Sequence, residues 1–411
     1  MGKLSIVTVA LVALLLGATL VWKKLSNPPA PKLIVLGVDG LDHRVAEGMI
    51  ARGELPALAQ LYRRGAVGTV RNSDLGLPAI SPAIWTTYVT GVTHEQHGVH
   101  GFVFETPEGA WELFRSLDRK VPAIWEMLSE AEKTIGVVNW WFSFPPEAVR
   151  GFVVSDRYFE SEVEGLSAIT HGRTTHKEAP AVYPVELVGR LGASRAEKLP
   201  RVLSANEAAM LDGAMLNLAY AAVRIVPVDV LLVYLNGLDR VSHMTWDAAD
   251  PERLGGSEVR EHMHTVDGYV ARLLSWAGER AHLVVLSDHG FEANPNGEPR
   301  GVHESKEAAD AGVLLLIGPA IQPGTKLGEV SPLDVLPTLL ALVDSPLPEG
   351  AQGTILRQAF RPGSRDFAAL ENRRRYSRLP AVEGRARVAG DVVDQVDQAT
   401  KERLRALGYI E

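Results

Sequence analysis

Three short apolar runs in this chain are each followed within four residues by an acidic residue. Residues 282–286 are followed by Ser287-Asp288-His289-Gly290, residues 32–38 by Asp39-Gly40, and residues 228–235 by Asp239, with His243 four positions further on. A further imidazole, His303, follows Gly301-Val302 after a loop of Asn, Gly and Pro. Carboxylates and imidazoles with no thiolate among them suit zinc, and less well manganese or iron. Asp239 and His243 share one face if their segment is a helical turn, a spacing that a single metal ion can use. Taken alone, Asp288-His289-Gly290 reads equally as a turn, because Asp and Gly are ordinary turn residues. The recurrence of the same device in three runs is what makes it a candidate site.

A hydroxyl candidate lies in residues 81–91. Ser81 at the N-cap, Pro82 at the first helical position and Gly91 just past the end punctuate a short helix. Two roles stay open for Ser81. It is a cap, or its oxygen sits where the helix dipole and free N–H groups favour an anion such as phosphate. Next to a metal ion that hydroxyl could ionise and attack. Thr86, Thr87 and Thr90 lie roughly 7 to 14 Å further along the helix, so Ser81 alone shares its end with strand-end groups.

The elements that must position these residues read as an α/β fold, a mostly parallel central sheet with helices on both faces. Apolar runs of Leu, Ile and Val too short for helices suit parallel strands covered on both sides, and ligands of such sheets bind beyond the carboxyl ends of the strands. Residues 44–65 carry a helical pattern broken at Gly53 and Pro56, 65–70 a short strand, 122–128 the start of a helix, and 134–141 another strand. Trp140 and Trp141 are assigned to core packing. The catalytic unit is expected to span 33–356, with a cap insertion at about 157–206 and a polar tail at 357–411. That tail has a short helical pattern at 392–407 and an exposed charged face at Arg373-Arg374-Arg375. His97, His100, His171, His176, His262 and His264 are read as structural or surface histidines.

The chain has 411 residues, 46% hydrophobic and 22% charged, enough to bury a large core. A net charge of -8 leaves no basic footprint for a nucleic-acid polymer. The absence of cysteine excludes a disulfide framework and thiolate zinc sites. Residues 4–22 carry no charge over a length that spans a bilayer core of about 30 Å. Lys3 precedes them, Lys23 and Lys24 follow, and residues 27–32 form a Pro-rich spacer. Residues 1–26 are therefore expected to be a transmembrane anchor or signal-anchor; a core helix and a cleaved signal peptide are the alternatives. Lysines at both ends leave orientation undecided.

Six pieces taken together carry a family resemblance. They are Val38-Asp39-Gly40, the helix from Ser81 to Thr90-Gly91, His97-Gly98, Asp239-Arg240-Val241-Ser242-His243, Ser287-Asp288-His289-Gly290 and Gly301-Val302-His303. In this order they resemble the alkaline phosphatase superfamily, most closely its type I phosphodiesterase and nucleotide pyrophosphatase group. Residues 334–338 are similar to the final core segment there. The nucleophile of that group lies nine residues before a Thr-Gly pair, as Ser81 does before Thr90. The resemblance implies two zinc ions, one among Asp39, Ser81, Asp288 and His289, the other among Asp239, His243 and His303. It implies a phosphoric ester hydrolase with a phosphoseryl intermediate, acting on a small-molecule or lipid head-group ester. The catalytic domain is expected on the extracytoplasmic side of the membrane. A phosphomonoesterase, a sulfatase-like hydrolase, a phospho-group transferase and a non-catalytic zinc-containing binding protein are the alternatives. The family's diesterases have Thr-Phe-Pro-Asn where this chain has Ser81-Pro82-Ala83-Ile84, and Ile84 cannot donate the hydrogen bond of that Asn. Sulfatases place Pro and Arg where Ala83 and Trp85 stand, which argues against their aldehyde-forming modification. The phosphate-clamping Arg of bacterial alkaline phosphatases has no recognisable counterpart.

Overall fold

Leu33-Ile34-Val35-Leu36-Gly37-Val38 has nothing polar to offer water on either face, so it belongs at the centre of a sheet, and it forms strand β1 (Leu33–Val38), buried throughout. The computed structural model describes residues 28–76, 80–158, 180–191, 205–250, 254–298 and 300–372. The anchor expected at 1–26, most of the cap expected at 157–206, and the helical pattern and arginines of the tail lie outside the described residues. Among the described residues no helix is long and apolar enough to cross a membrane.

After β1 the sheet strands are β2 (Ala66–Val70), β3 (Ile135–Val138), β4 (Gly151–Val154), β5 (Val182–Tyr183), β6 (Val230–Leu235), β7 (His282–Leu286), β8 (Gly312–Ile317) and β9 (Thr325–Val330). They form one nine-stranded sheet in the order β9-β2-β8-β7-β1-β6-β3-β4-β5. The run from β7 through β1, β6 and β3 to β4 is parallel. Strand β8 is antiparallel to β7 and β2, and β5 closes the far edge antiparallel to β4. Val38 is level with Leu235 of β6, and Gly37 with Leu286 of β7, so the three acid-bearing runs end together.

The principal helices are α1 (His43–Ala51), α2 (Pro56–Arg64), α3 (Ser81–Thr90), α4 (Ile124–Glu130), α5 (Ala205–Ile225), α6 (Gly237–Thr245), α7 (Ser257–Ala277) and α8 (Val335–Leu342). Alternation along the strands divides the core in two. Ile34, Leu36, Leu231 and Val233 pack with α1, α2, α5 and α7. Leu33, Val35, Val230, Leu232 and Tyr234 pack with α3, α4 and α8 on the other face. Such two-sided cover is why these strands read as uninterrupted apolar runs. Phe360 and Leu370 are also buried in the second core, and Ile321 bridges Phe360, so packing continues past residue 356.

Gly37 is needed for space. A Cβ there would lie 2.7 Å from Cζ3 of Trp85 on α3 and 3.3 Å from the Tyr234 ring. Trp85 is fully buried and in edge contact with Tyr88, Trp140 and Tyr234, so it has nowhere to retreat. Gly37→Ala is expected to destabilise the fold by about 1–3 kcal/mol through overpacking, seen as a lower denaturation midpoint at unchanged m-value. An unchanged midpoint would refute this account of the contact between β1 and α3.

Candidate metal centre

The centre is built where β1, β6 and β7 end. Gly40 follows Asp39 with φ +72°, a left-handed turn that favours glycine, and its N–H donates to Asp288 Oδ1 over 3.2 Å. That bond ties the end of β1 to the end of β7. Helix α6 follows β6, and one turn of it sets Asp239 Oδ1 3.4 Å from His243 Nε2, as the i, i+4 spacing requires. The first turn of α6 is anchored from below: Asp212 of α5 accepts the Gly237 N–H at 3.1 Å and pairs with His262 of α7 at 3.1 Å. His303 is returned to the centre by a two-stranded ribbon, Glu292–Ala293 paired with Gly301–Val302. Its ring stacks on that of His289 with centroids 4.0 Å apart.

His289 is the hub. Its Nε2 lies 3.1 Å from Ser81 Oγ, 3.3 Å from Asp39 Oδ1, 3.3 Å from Asp288 Oδ2 and 3.9 Å from Asp239 Oδ1. Ser81 Oγ is also 3.4 Å from Asp39 Oδ1. Four ligands held tetrahedrally at about 2.1 Å from a zinc ion stand about 3.4 Å from one another, so most of these separations match the edges of one coordination shell. Two groupings have donor atoms mutually within 4.8 Å: Asp39, Asp239 and His289, and Asp239, His243 and His303. All seven residues singled out in the sequence thus converge. The difference from the expected partition is that Asp239 reaches towards both groups, while Asp288 meets the first through His289.

Other observations fit a divalent cation. Asp239 Oδ1 and Asp288 Oδ2 are buried without a hydrogen-bond partner, a costly state for carboxylate oxygens unless a cation answers them. Ring nitrogens Nδ1 of His289 and His243 lie 3.1 Å from the carbonyls of Gly290 and Gly301 respectively. A proton on Nδ1 in those bonds turns each Nε2 towards the acids, the orientation of metal-ligating histidines once Nε2 itself is free of a proton.

Charge follows the same geometry. Burial on its own would lower the His289 imidazole, but Asp288, Asp39 and Asp239 outweigh it and push it up to about 10. Burial, and next the neighbouring Asp39, raises Asp288 well above the usual carboxylate range. Burial also opposes ionisation of Asp39, yet hydrogen bonds from His289 and Tyr234 hold that carboxyl below its ordinary value.

Ser81 departs from expectation. It is the first residue of α3 and not its N-cap, a place taken by Ile80, and no side-chain cap bond is made. The hydroxyl turns to Asp39 and His289, whose charge outcompetes the backbone amides. Nor is the helix end a cradle of free N–H groups. Pro82 has none, and the Ala83 and Ile84 amides donate to Ile80 O at 3.0 and 3.2 Å. The other hydroxyls are engaged elsewhere: Thr86 and Thr90 bond to carbonyls of their own helix, and Thr87 lies 3.1 Å from His97 Nε2. His97 is fully buried and pulled down to about 3 by that burial. His264 is exposed, against Glu54. His171 and His176 lie outside the described residues.

Two supporting residues escaped the sequence reading. Asn72 donates from Nδ2 to the carbonyls of Asp288 and Ala309, the latter at 2.9 Å. Tyr234 of β6 hydrogen-bonds Asp39 Oδ2. Its signal was present, as the sole side chain in residues 230–235 able to form a hydrogen bond.

A cation binding at His289 Nε2 must displace the proton that the carboxylates hold there near neutral pH. Metal uptake should therefore release at least one proton, and apparent affinity should rise up to about tenfold per unit over roughly pH 6 to 9, flattening as free His289 deprotonates. Calorimetric titration in buffers of different ionisation enthalpy measures this, with saturation expected at about two metal equivalents. Binding without proton release, or independent of pH, would contradict this account of the hub.

The sequence model described as Type I phosphodiesterase / nucleotide pyrophosphatase matches residues 33–322. Human ectonucleotide pyrophosphatase / phosphodiesterase 5 superposes with a TM-score of 0.50 at 14% identity, over 80% of this chain and 99% of that one. Phosphonoacetate hydrolase from Sinorhizobium meliloti 1021, solved with phosphonoformate, gives a TM-score of 0.44 at 19% identity over 66% of this chain and 59% of that one. GPI ethanolamine phosphate transferase 3 of Schizosaccharomyces pombe is 26% identical over 141 residues, which are 32% of this chain and 14% of that protein. The chain thus spans about a seventh of that curated relative's length. Because the first of these matches runs through all three acid-bearing strands and on past His303, the chain belongs to the type I phosphodiesterase / nucleotide pyrophosphatase family.

Proposed function

We propose that the protein is a two-zinc phosphoric ester hydrolase in which Ser81 attacks phosphorus. One observation carries the reading: Ser81 Oγ is the hydroxyl of α3 that faces the acids, 3.1 Å from His289 Nε2 and 3.4 Å from Asp39 Oδ1. Asp39, Ser81, Asp288 and His289 would hold one ion, and Asp239, His243 and His303 the other. Bound zinc supplies positive charge to the oxygens that become more negative during phosphoryl transfer. Ser81 Oγ gives up its proton to solvent base and forms the new bond to phosphorus as the ester oxygen departs on the opposite side and takes a proton from water. Water then displaces the phosphoseryl group and restores the serine. Burial of Ser81, Asp39, Asp288 and His289 keeps bulk water from the hydroxyl and strengthens each of these electrostatic contacts.

Ile84 offers no side-chain donor in place of the family's Asn, so the preference for monoesters or diesters is not set by that residue. Mononucleotides, dinucleotides, lipid head-group diesters and sulfate esters ranked by kcat/KM would decide it, with phosphate esters expected first. A second reading, transfer of the phospho-group to an alcohol other than water, is favoured by the match to an ethanolamine phosphate transferase.

Ser81→Ala should stay folded at a cost of no more than about 1–3 kcal/mol, from the lost contacts with Asp39 and His289, since no cap bond is lost. Turnover should fall about 10⁴-fold or more, because nucleophile and cations act as a unit. Acid quenching with labelled substrate should trap phosphoserine at Ser81. Phosphothreonine, or near-normal turnover in the variant, would overturn the assignment.

The uncharged run at residues 4–22 supports tethering to a membrane; an extracytoplasmic catalytic unit is part of this proposal and does not follow from the flanking lysines. Deleting residues 1–26 should then give soluble, folded protein, while recovery of the full chain in the soluble fraction without detergent would count against the tether.

A further inference from the structure

We propose that Tyr234, together with Trp141, is a positioning device that holds Asp39 in a single-oxygen presentation to the first ion site. The proposal rests on Asp39 being a metal ligand, as argued above. The first observation is the direction of the hydrogen bonds. An indole N–H only donates, and Trp141 Nε1 donates to the Tyr234 phenol oxygen over 2.6 Å. With that lone pair occupied, the phenol's own hydrogen points to its other partner, Asp39 Oδ2. Oδ2 is thereby committed, and Oδ1 is the oxygen left at the centre, 3.3 Å from His289 Nε2 and 3.4 Å from Ser81 Oγ.

The second observation is that the phenol cannot swing away. Its ring is boxed by Trp85 at 4.9 Å, Trp141 at 5.9 Å and Trp140 at 6.1 Å between centroids. The missing Cβ of Gly37 is what admits both Trp85 and Tyr234 beside β1. The residue backbone is fixed as well, since Tyr234 is paired with Gly37 in the sheet and its carbonyl accepts from Asn139 Nδ2 at 3.1 Å. Asp39 therefore meets a donor whose position and proton direction are both determined. Partners of this kind typically change metal affinity 10- to 100-fold when removed.

The test reads metal binding directly, by competition with a chromogenic zinc chelator in the absence of substrate. In Tyr234→Phe the ring still fills its box, and one of the two zinc equivalents should bind about 10- to 100-fold more weakly while the other, at Asp239, His243 and His303, changes less than about threefold. Trp141→Phe keeps the phenol but frees its oxygen, so the same equivalent should weaken by a smaller factor, about two- to fivefold. This second variant keeps the proposal open to refutation if Tyr234→Phe does not fold. Equal weakening of both equivalents would indicate general loosening and overturn the proposal, as would wild-type affinity in Tyr234→Phe or, should that variant not fold, in Trp141→Phe. A wild-type protein that takes up no zinc would instead overturn the reading of the metal centre on which the proposal rests.

Discussion

Like charges brought together without water are the constraint on which this structure depends. Asp39, Asp239 and Asp288 are each almost wholly buried, and all three place an oxygen within 3.9 Å of one imidazole nitrogen. Two carboxylates about 4 Å apart repel by about 4 kcal/mol at an effective dielectric constant of 20, against a total folding stability of about 5–15 kcal/mol. Such a cluster persists only if the surrounding structure is rigid and a positive charge lies within it. His289 pushed up to about 10 is the chain's own partial answer. The carboxylate and imidazole groupings around it are ones that could also hold a metal ion.

Rigidity comes from the two-sided sheet. β1, β6 and β7 are buried along their whole length, so their ends cannot slide relative to one another without breaking the ladder hydrogen bonds between them and the packing in both apolar layers. Small cross-links then lock the loops beyond the strands. The Gly40 amide joins Asp288, the Asn72 amide holds the carbonyl of Asp288, and Asp212 holds the start of α6. Each involves a backbone group at the turn of one of the three acids. Repulsion among the acids is thus resisted by main-chain geometry, which does not relax as an exposed side chain would.

The sheet and the acids were legible because a strand covered on both faces must be apolar throughout, so its end is marked by the first charge. Asp39, Asp239 and Asp288 stand at such transitions, and the i, i+4 step to His243 was legible for a comparable reason. Ser81 was misjudged by one position because capping rules weigh a hydroxyl against backbone amides only, whereas here two charged side chains from distant strands claim it. Tyr234 carried a weak signal, because an aromatic residue in an apolar strand satisfies the same pattern whether or not its hydroxyl has a role. The boundary at 356 followed the polar composition of the tail. Phe360 and Leu370 nevertheless reach the core, for a few apolar anchors suffice to dock a polar segment.

The loss of donors at the start of α3 and the crowding of acids beside it are connected. A helix N-terminus with free amides can bind the oxygens of a phosphoryl group by itself. Here Pro82 has no N–H, and the amides of Ala83 and Ile84 are spent on Ile80. Ile84 adds no side-chain donor, and it is buried in the apolar layer with Trp85. The backbone therefore contributes little that could attract an anion on the serine's side. Three buried carboxylates, left to themselves, would repel one. The positive charge that the polypeptide does carry beside Ser81 is His289, pushed up to about 10 and already answered by the acids around it, so the pull on an anion at this spot rests on how far that charge, or a cation held by such carboxylate and imidazole groups, exceeds theirs.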